Sequence, residues 1–255
     1  MPNVVVKGSV VFVTGANRER GIGRALVEEA VKRGAQKVYA TSRTMSQLDD
    51  LVSRYPGIVV PIRLDVTNKD DIARVAEVAR DADILINNSG AAGYSGICFN
   101  YNEETARREI EVNYFGPLNL IRAFSRSLIG KKNSAVVNIL SIGGLSAFPP
   151  AATYSASKAA AHSLTQTVRA ELKRHGVSVF GVYPGPIDTD MADGLQYEKE
   201  TSANVAIRIF DDMARGVEDI TTDAFADQFV SNLRQDSKSL EKQNAELAHL
   251  MPIEA

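Results

Sequence analysis

Tyr154 and Lys158 stand four residues apart in 154-YSASK-158, within a segment of helical periodicity, so both fall on one helix face about one turn apart. A phenol with an ordinary pKa near 10 is a poor acid or base at neutral pH. A nearby ammonium favours the phenolate, and a lowering of roughly two to three units would make proton transfer at a carbonyl oxygen useful. The pair could therefore move a proton to or from a carbonyl oxygen, although the same spacing also arises by chance.

The stretch 14-TGANRERGIG-23 has the glycines of a phosphate-binding loop, with a plain strand-to-helix turn as its other reading. It follows the apolar run 9-SVVFVT-14 and precedes 22-IGRALVEEAVKRG-34, a helical pattern. In such a strand–loop–helix setting, glycines let the backbone approach a pyrophosphate at a helix N-terminus. A nucleoside-triphosphate loop would need Lys and Ser/Thr after its last glycine, but Gly23 is followed by Arg24 and Ala25. About twenty residues on, where NAD sites usually carry an acid, stand Thr41, Ser42 and Arg43, and no carboxylate comes before Asp49. A hydroxyl and a guanidinium suit a 2′-phosphate, so NADP(H) is expected in preference to NAD(H). Five residues separate Gly15 from Gly21. Arg18 or Arg20 is expected to lean over the same phosphate. The alternative is a solvated surface charge, which is the stronger reading for Arg20.

The elements that position these residues alternate regularly. Strands are expected at 9–14, 37–42, 58–64, 83–87, 134–141 and 177–183. Helices are expected at 22–34, 45–55, 68–80 (capped by Asn68), over two long patterns between 103 and 129, and at 153–175. Six strands joined by helical crossovers imply a doubly wound parallel α/β sheet of Rossmann type, one domain over residues 1–255. Helical patterns dominate after 186, including 239-SLEKQNAELAHLM-251, so residues 186–255 are expected to form a helical, substrate-binding C-terminal segment of the domain. The stretch 219-DITTD-223 is too short and polar to count as a seventh strand.

With 44% hydrophobic residues the chain can bury a core, and its net charge of −2 gives no nucleic-acid or anionic-membrane footprint. No apolar run reaches 18 residues, and the start has no export pattern. One cysteine, Cys98, excludes an intrachain disulfide, and a cytoplasmic location is expected. His162, His175 and His249 have no ligand-spaced partners, so no metal site is expected.

Taken in order, TGANRERGIG, 65-DV-66, 87-NNSG-90, Asn113 in 111-EVNYFG-116, Ser141 thirteen residues before Tyr154, YSASK and 184-PGPIDT-189 resemble the short-chain dehydrogenase/reductase family over roughly residues 8–190. The resemblance implies a catalytic tetrad of Asn113, Ser141, Tyr154 and Lys158. Tyr154 would donate or accept the proton, and Ser141 would hydrogen-bond the substrate oxygen. Lys158 would hold the nicotinamide ribose and tune Tyr154, while Asn113 would anchor a water in a proton relay. It also implies cofactor contacts from Gly15, Asn17, Arg18, Gly21, Ile22, Gly23, Ser42 and Arg43. Asp65 and Val66 would lie at the adenine, Asn88 and Gly90 along the adenosine ribose, and Pro184, Gly185, Ile187 and Thr189 at the nicotinamide. Asn88 and Asn113 have a second reading as ties for strand and helix ends.

Three departures from that family stand out. The five-residue gap matches a divergent enoyl-reductase branch, but that branch separates its Tyr and Lys by six residues. Ser89 replaces the usual alanine, and the C-terminal strand with its glycine pair is not evident. The resemblance implies a homodimer or homotetramer through the helices around 103–129 and 153–175. A non-catalytic dinucleotide-binding regulator and an NAD-linked alcohol dehydrogenase are the rival readings. Residues 91–100, 142–150 and 190–215 should line the substrate pocket. They include Tyr94, Phe99, Ile142, Leu145, Phe148, Met191, Leu195 and Tyr197, with Asp190 and Asp193, and suggest an apolar or aromatic carbonyl compound.

Overall fold

A computed structural model describes residues 3–194 and 197–250. Its centre is a sheet of β1 (Val10–Val13), β2 (Lys37–Ser42), β3 (Val59–Arg63), β4 (Ile84–Asn87), β5 (Ala135–Ile139), β6 (Ser178–Tyr183) and β7 (Asp219–Thr221). All neighbours pair in parallel, in the order β3-β2-β1-β4-β5-β6-β7. The winding reverses between β1 and β4, so a crevice opens at the carboxyl ends of those two strands. The crossovers are α1 (Ile22–Lys32), α2 (Asp49–Arg54), α3 (Lys69–Val78), α4 (Glu103–Ile110), α5 (Gly116–Leu128) and α6 (Ala152–Lys173). Then α7 (Ser202–Arg215) precedes β7, and α8 (Ala224–Gln235) and α9 (Ser237–Ala245) follow it. No helix among the described residues is long and apolar enough to cross a membrane.

The strands read as continuous apolar runs because both faces are covered. In β1, Val11 and Val13 join the cluster under α1 and α7, while Val10 and Phe12 join the one under α3, α5 and α6. Phe12 is fully buried, with its ring 4.9 Å from that of Phe124. Asn68 caps α3 as expected, accepting from the Asp70 and Asp71 amides.

Two elements differ from expectation. A seventh strand exists where 219–223 had been set aside: Gly181–Tyr183 pair with Asp219–Thr221. An edge strand of three residues needs only one buried side chain, and Ile220 is fully buried while Asp219 is exposed. Its brevity and polar ends hid it from a hydrophobicity pattern. The second difference lies between α4 and α5, where Glu111–Phe115 form a π-helical turn and the Gly116 amide donates to the Glu111 carbonyl. Pro117 has no N–H to return to the Asn113 carbonyl four residues back, which removes one α-helical bond at that point. Such single π turns frequently sit at functional sites, and this one carries Asn113.

Candidate functional site

Above the carboxyl ends of the strands lies a cavity of about 1160 Å³. That exceeds the roughly 300–1,000 Å³ common for one drug-sized ligand, leaving room for two molecules side by side. Every residue expected to touch the cofactor lines this cavity, from Gly15 and Asn17 to Ile187 and Thr189. Ser141, Tyr154 and Lys158 line it as well. Asn113 is not on its wall but buried behind it.

The glycine loop is fastened from both sides. Thr14 Oγ1 accepts the Asn88 and Ser89 amides at 2.9 Å, and Asn88 Nδ2 donates to the carbonyls of Thr14 at 2.8 Å and Gly15 at 3.2 Å. Asn88 thus ties β1 to β4, the second of its two readings, while still lining the cavity. Gly15 has φ +71°, open to glycine at no cost, and a Cβ on Gly23 would overlap the Gly15 carbonyl. No side chain caps α1 at Gly21, so the amides of its first turn remain open, and Gly21, Ile22 and Gly23 face the cavity. Free amides, glycines without Cβ and a helix N-terminus fit a pyrophosphate.

At the end of β2, Ser42 Oγ donates to Gln47 Oε1 at 3.1 Å, and Asn17 Nδ2 donates to the same oxygen at 3.1 Å. Gln47 escaped the sequence reading because it lies in a short 3₁₀ turn, Met45–Leu48, ahead of α2, where one helix over 45–55 was expected. Arg43 is exposed on the cavity rim and makes no side-chain hydrogen bond or ion pair with the described residues. The other two arginines are engaged elsewhere. Arg18 pairs with Asp190 at 2.9 Å, and Arg20 binds Asp188 at 3.1 Å, Asp190 at 3.2 Å and Asp193 at 2.7 Å. Arg20 does not line the cavity; it is a surface side chain held by three acids. The lengthened loop instead bridges to the segment after β6.

In α6, Tyr154 is half-buried and Lys158 buried. Lys158 Nζ donates to the Ile139 carbonyl at 2.8 Å and lies 5.7 Å from the Tyr154 ring centroid. Burial pushes Tyr154 up to about 12, opposed by the Ser141 hydroxyl, and pushes Lys158 down to about 8. The expected lowering of Tyr154 is therefore not found: desolvation of the phenolate is the largest cause, and the Lys158 ammonium gives its hydrogen bond to the strand. At neutral pH the group facing the cavity is a protonated phenol. Ser141 ends its strand extension with Oγ accepting the Gly143 amide at 3.1 Å. Asn113 Oδ1 accepts from the Ala91 amide at 2.9 Å, and Nδ2 donates to the Ala91 carbonyl and Ser157 Oγ, both at 2.8 Å. Its side chain locks α4–α5, α6 and the loop after β4 together, so a relay role would fall to its backbone.

On the substrate side, Tyr94, Ile142, Phe148, Met191 and Tyr197 line the cavity as expected. Tyr94 sits at φ 52°, unusual for a bulky residue, and its hydroxyl donates to the Met191 carbonyl at 2.8 Å, bridging two walls. Phe99 points elsewhere and is 56% exposed, Leu145 packs in the cluster of Leu140 and Phe229, and Leu195 lies outside the described residues. Phe225, Leu247 and Leu250 also line the cavity, from a helical region that the sequence pattern did not connect to the site.

The chain is similar to known proteins in sequence and fold. The chain is 31% identical over 208 residues to an uncharacterized oxidoreductase of Staphylococcus epidermidis, covering 79% of this chain and 89% of that one. It is 32% identical over 204 residues to a 3-oxoacyl-[acyl-carrier-protein] reductase of Vibrio cholerae, covering 77% and 81%. A crystal structure of a short chain dehydrogenase from Burkholderia cenocepacia in complex with NADP superposes with a TM-score of 0.88 at 39% identity, over 97% of this chain and 100% of that one. With the short chain dehydrogenase profile matching residues 9–200, the chain belongs to the short-chain dehydrogenase family of oxidoreductases.

Proposed function

We propose that the protein is an NADP(H)-dependent carbonyl reductase or alcohol dehydrogenase, a single NAD(P)-binding unit with Tyr154 as its acid and base. The observation that carries this reading is the Tyr154 phenol with Ser141 and Lys158 in one cavity with an uncapped glycine-rich helix start. When bound, the cofactor supplies or accepts the hydride at the carbonyl carbon. In the reductive direction Tyr154 Oη gives its proton to the carbonyl oxygen as that oxygen becomes an alcohol. Ser141 Oγ donates a hydrogen bond to the same oxygen and concentrates charge stabilisation where it develops. Lys158, fixed on the Ile139 carbonyl, has N–H groups left that would hold the nicotinamide ribose. Asn113 fixes the helix junction from which protons return to Tyr154.

Preference for NADP(H) rests on Ser42, Asn17 and Gln47 around a rim where Arg43 stands unpaired, with no acid among them. Arg43 is the guanidinium assigned to the 2′-phosphate. The substrate assigned here is an apolar or aromatic carbonyl compound. A cytoplasmic homo-oligomer belongs to the same reading, supported by Phe115, 38% exposed on the helix between α4 and α5.

The test is a fluorescence titration of NADPH and NADH with the wild type, followed by NADPH oxidation on aldehydes and ketones by the wild type and Tyr154→Phe. Tighter binding of NADPH and loss of at least a hundredfold in kcat with Tyr154→Phe are expected. Equal binding of NADH would favour the NAD-linked alcohol dehydrogenase. NADPH binding without turnover of any carbonyl or alcohol would favour the regulator.

A further inference from the structure

We infer that the C-terminal turn of the chain is the size selector of the substrate pocket, with Leu247 and Leu250 receiving the apolar tail of a carbonyl substrate whose reactive end lies at Tyr154. The inference rests on the reading of Tyr154 and Ser141 as the reacting end, and it assigns two residues of the 186–255 segment that lie beyond residues 190–215.

Three observations support it. The first is continuity: Leu247 and Leu250, from the 3₁₀ turn Glu246–Leu250, line the same cavity as Tyr154 and Ser141. Phe148, Met191, Tyr197 and Phe225 line it too, and the Tyr197 and Phe225 rings meet edge to face at 5.5 Å. The acid near this end, Asp190, is held by Arg18 and Arg20. The second is exposure. Leu250 is 59% exposed, and Met191, Tyr197 and Phe225 are each 38–41% exposed, so the described residues leave apolar side chains open along the cavity wall.

The third observation is that the helix leading into the turn is anchored. Leu240 of α9 is buried with Phe229 and packs in the cluster that holds Phe148. The Phe148 and Phe229 rings stand 5.6 Å apart. Asn244, buried, donates from Nδ2 to Ser146 Oγ at 3.1 Å and to the Ala147 carbonyl at 3.3 Å. Ser146 and Ala147 belong to the segment between Ser141 and Tyr154, so α9 is fixed to the wall that carries the chemistry. A fixed apolar roof selects by fit: each substrate methylene it buries contributes roughly fourfold in affinity. A carbonyl compound with an extended apolar tail gains from this roof, and a short one does not.

The test uses butan-2-one, octan-2-one and dodecan-2-one with the wild type, Leu247→Ala, Leu247→Trp and Asn244→Ala. Two readouts are taken: kcat/KM with NADPH, and the shift in melting temperature that each ketone gives the protein with NADP⁺ bound, which needs no turnover. Octan-2-one should exceed butan-2-one by at least tenfold in kcat/KM and give the larger melting shift. Leu247→Trp should remove that advantage, and Leu247→Ala should shift the optimum toward dodecan-2-one. Asn244→Ala should flatten the series, with NADPH affinity within twofold of wild type in all three variants. The inference is overturned if the chain-length profile is the same in wild type and both Leu247 variants. Should no ketone be reduced, the proposed activity fails, and the melting shifts still decide whether Leu247 governs tail binding.

Discussion

The Gly185 amide donates to Asp223 Oδ2 at 2.8 Å, linking the loop after β6 to the start of α8. Asp223 is buried, and its other oxygen accepts the Ala226 amide at 2.8 Å as the helix cap, while Thr222 Oγ1 donates to Oδ2 at 2.9 Å. A Cβ on residue 185 would collide with this carboxylate, so glycine is required for the approach. One carboxylate therefore sets both a helix start and the segment assigned to the nicotinamide. Asparagine has a single acceptor oxygen and can serve only one of the two amides. Asp223→Asn should weaken NADPH binding about tenfold while retaining most of the cap. Asp223→Ala should in addition cost about 1 kcal/mol of stability, a fall of roughly 2–4 °C in Tm. Fluorescence titration and thermal melts separate the two effects. Unchanged NADPH affinity in both variants would show that Asp223 is only a cap.

The three arginines near the glycine loop should behave differently. Arg43→Ala should remove at least tenfold of the preference for NADPH over NADH, because its guanidinium is free for a 2′-phosphate. Arg20→Ala should leave that ratio alone. It should instead speed release of either nucleotide, since Arg20 joins the glycine loop to Asp188, Asp190 and Asp193. These pairs are exposed, so raising the salt from 50 mM to 0.5 M should mimic the substitution in wild type and do nothing further in Arg20→Ala. Stopped-flow displacement of NADPH measures the rates, and equal salt dependence in both proteins would rule the bridge out.

Lys158 supplies the pH dependence. Burial lowers its pKa to about 8, so its ammonium is present below that pH and is lost above it, well before an ordinary lysine would deprotonate. If the ammonium holds the cofactor ribose, the Kd for NADPH should be level from pH 6 to 7 and rise as pH passes through about 8. Lys158→Met should bind more weakly and lose that inflection. Tyr154, raised to about 12, stays a phenol across this range and should not contribute to it. A titration series in which Lys158→Met keeps the wild-type pH profile would assign the inflection to another group.

The sheet and the cavity were legible in the sequence to different depths. Strands buried on both faces, such as β1 with Val10–Val13, announce themselves as apolar runs, and Asn68 announces α3 by its cap. The glycine loop, Asn88, Ser141 and the 184–189 loop reach one cavity because each follows a strand, and parallel strands deliver their carboxyl ends to one side of the sheet, while Tyr154 and Lys158 join them from α6. What the sequence could not give was pairing chosen in three dimensions. Arg18 and Arg20 meet acids some 170 positions away, Asn88 spends its amide on the glycine loop, and Leu247 reaches the pocket through a short turn. Nor could spacing reveal the sign of the Tyr154 shift, because desolvation depends on what surrounds the phenol rather than on the lysine four residues on.

β7 shows most clearly how a weak local signal becomes decisive in the fold. Ile220 is its one fully buried side chain, packed in the same cluster as Val182, Val205 and Ile209. Ile220→Ala removes a buried aliphatic side chain and should cost about 2–5 kcal/mol, and Ile220→Val about 0.5–1.5 kcal/mol, in urea unfolding. Because β7 leads directly into Thr222 and Asp223, loosening it should also relax the Gly185 contact. The losses in NADPH affinity from Ile220→Ala and Asp223→Asn should then be less than additive, since either change breaks the same link. A double-mutant cycle on NADPH Kd measures that coupling. Strict additivity would mean that β7 stabilises the sheet edge and takes no part in placing the nicotinamide loop.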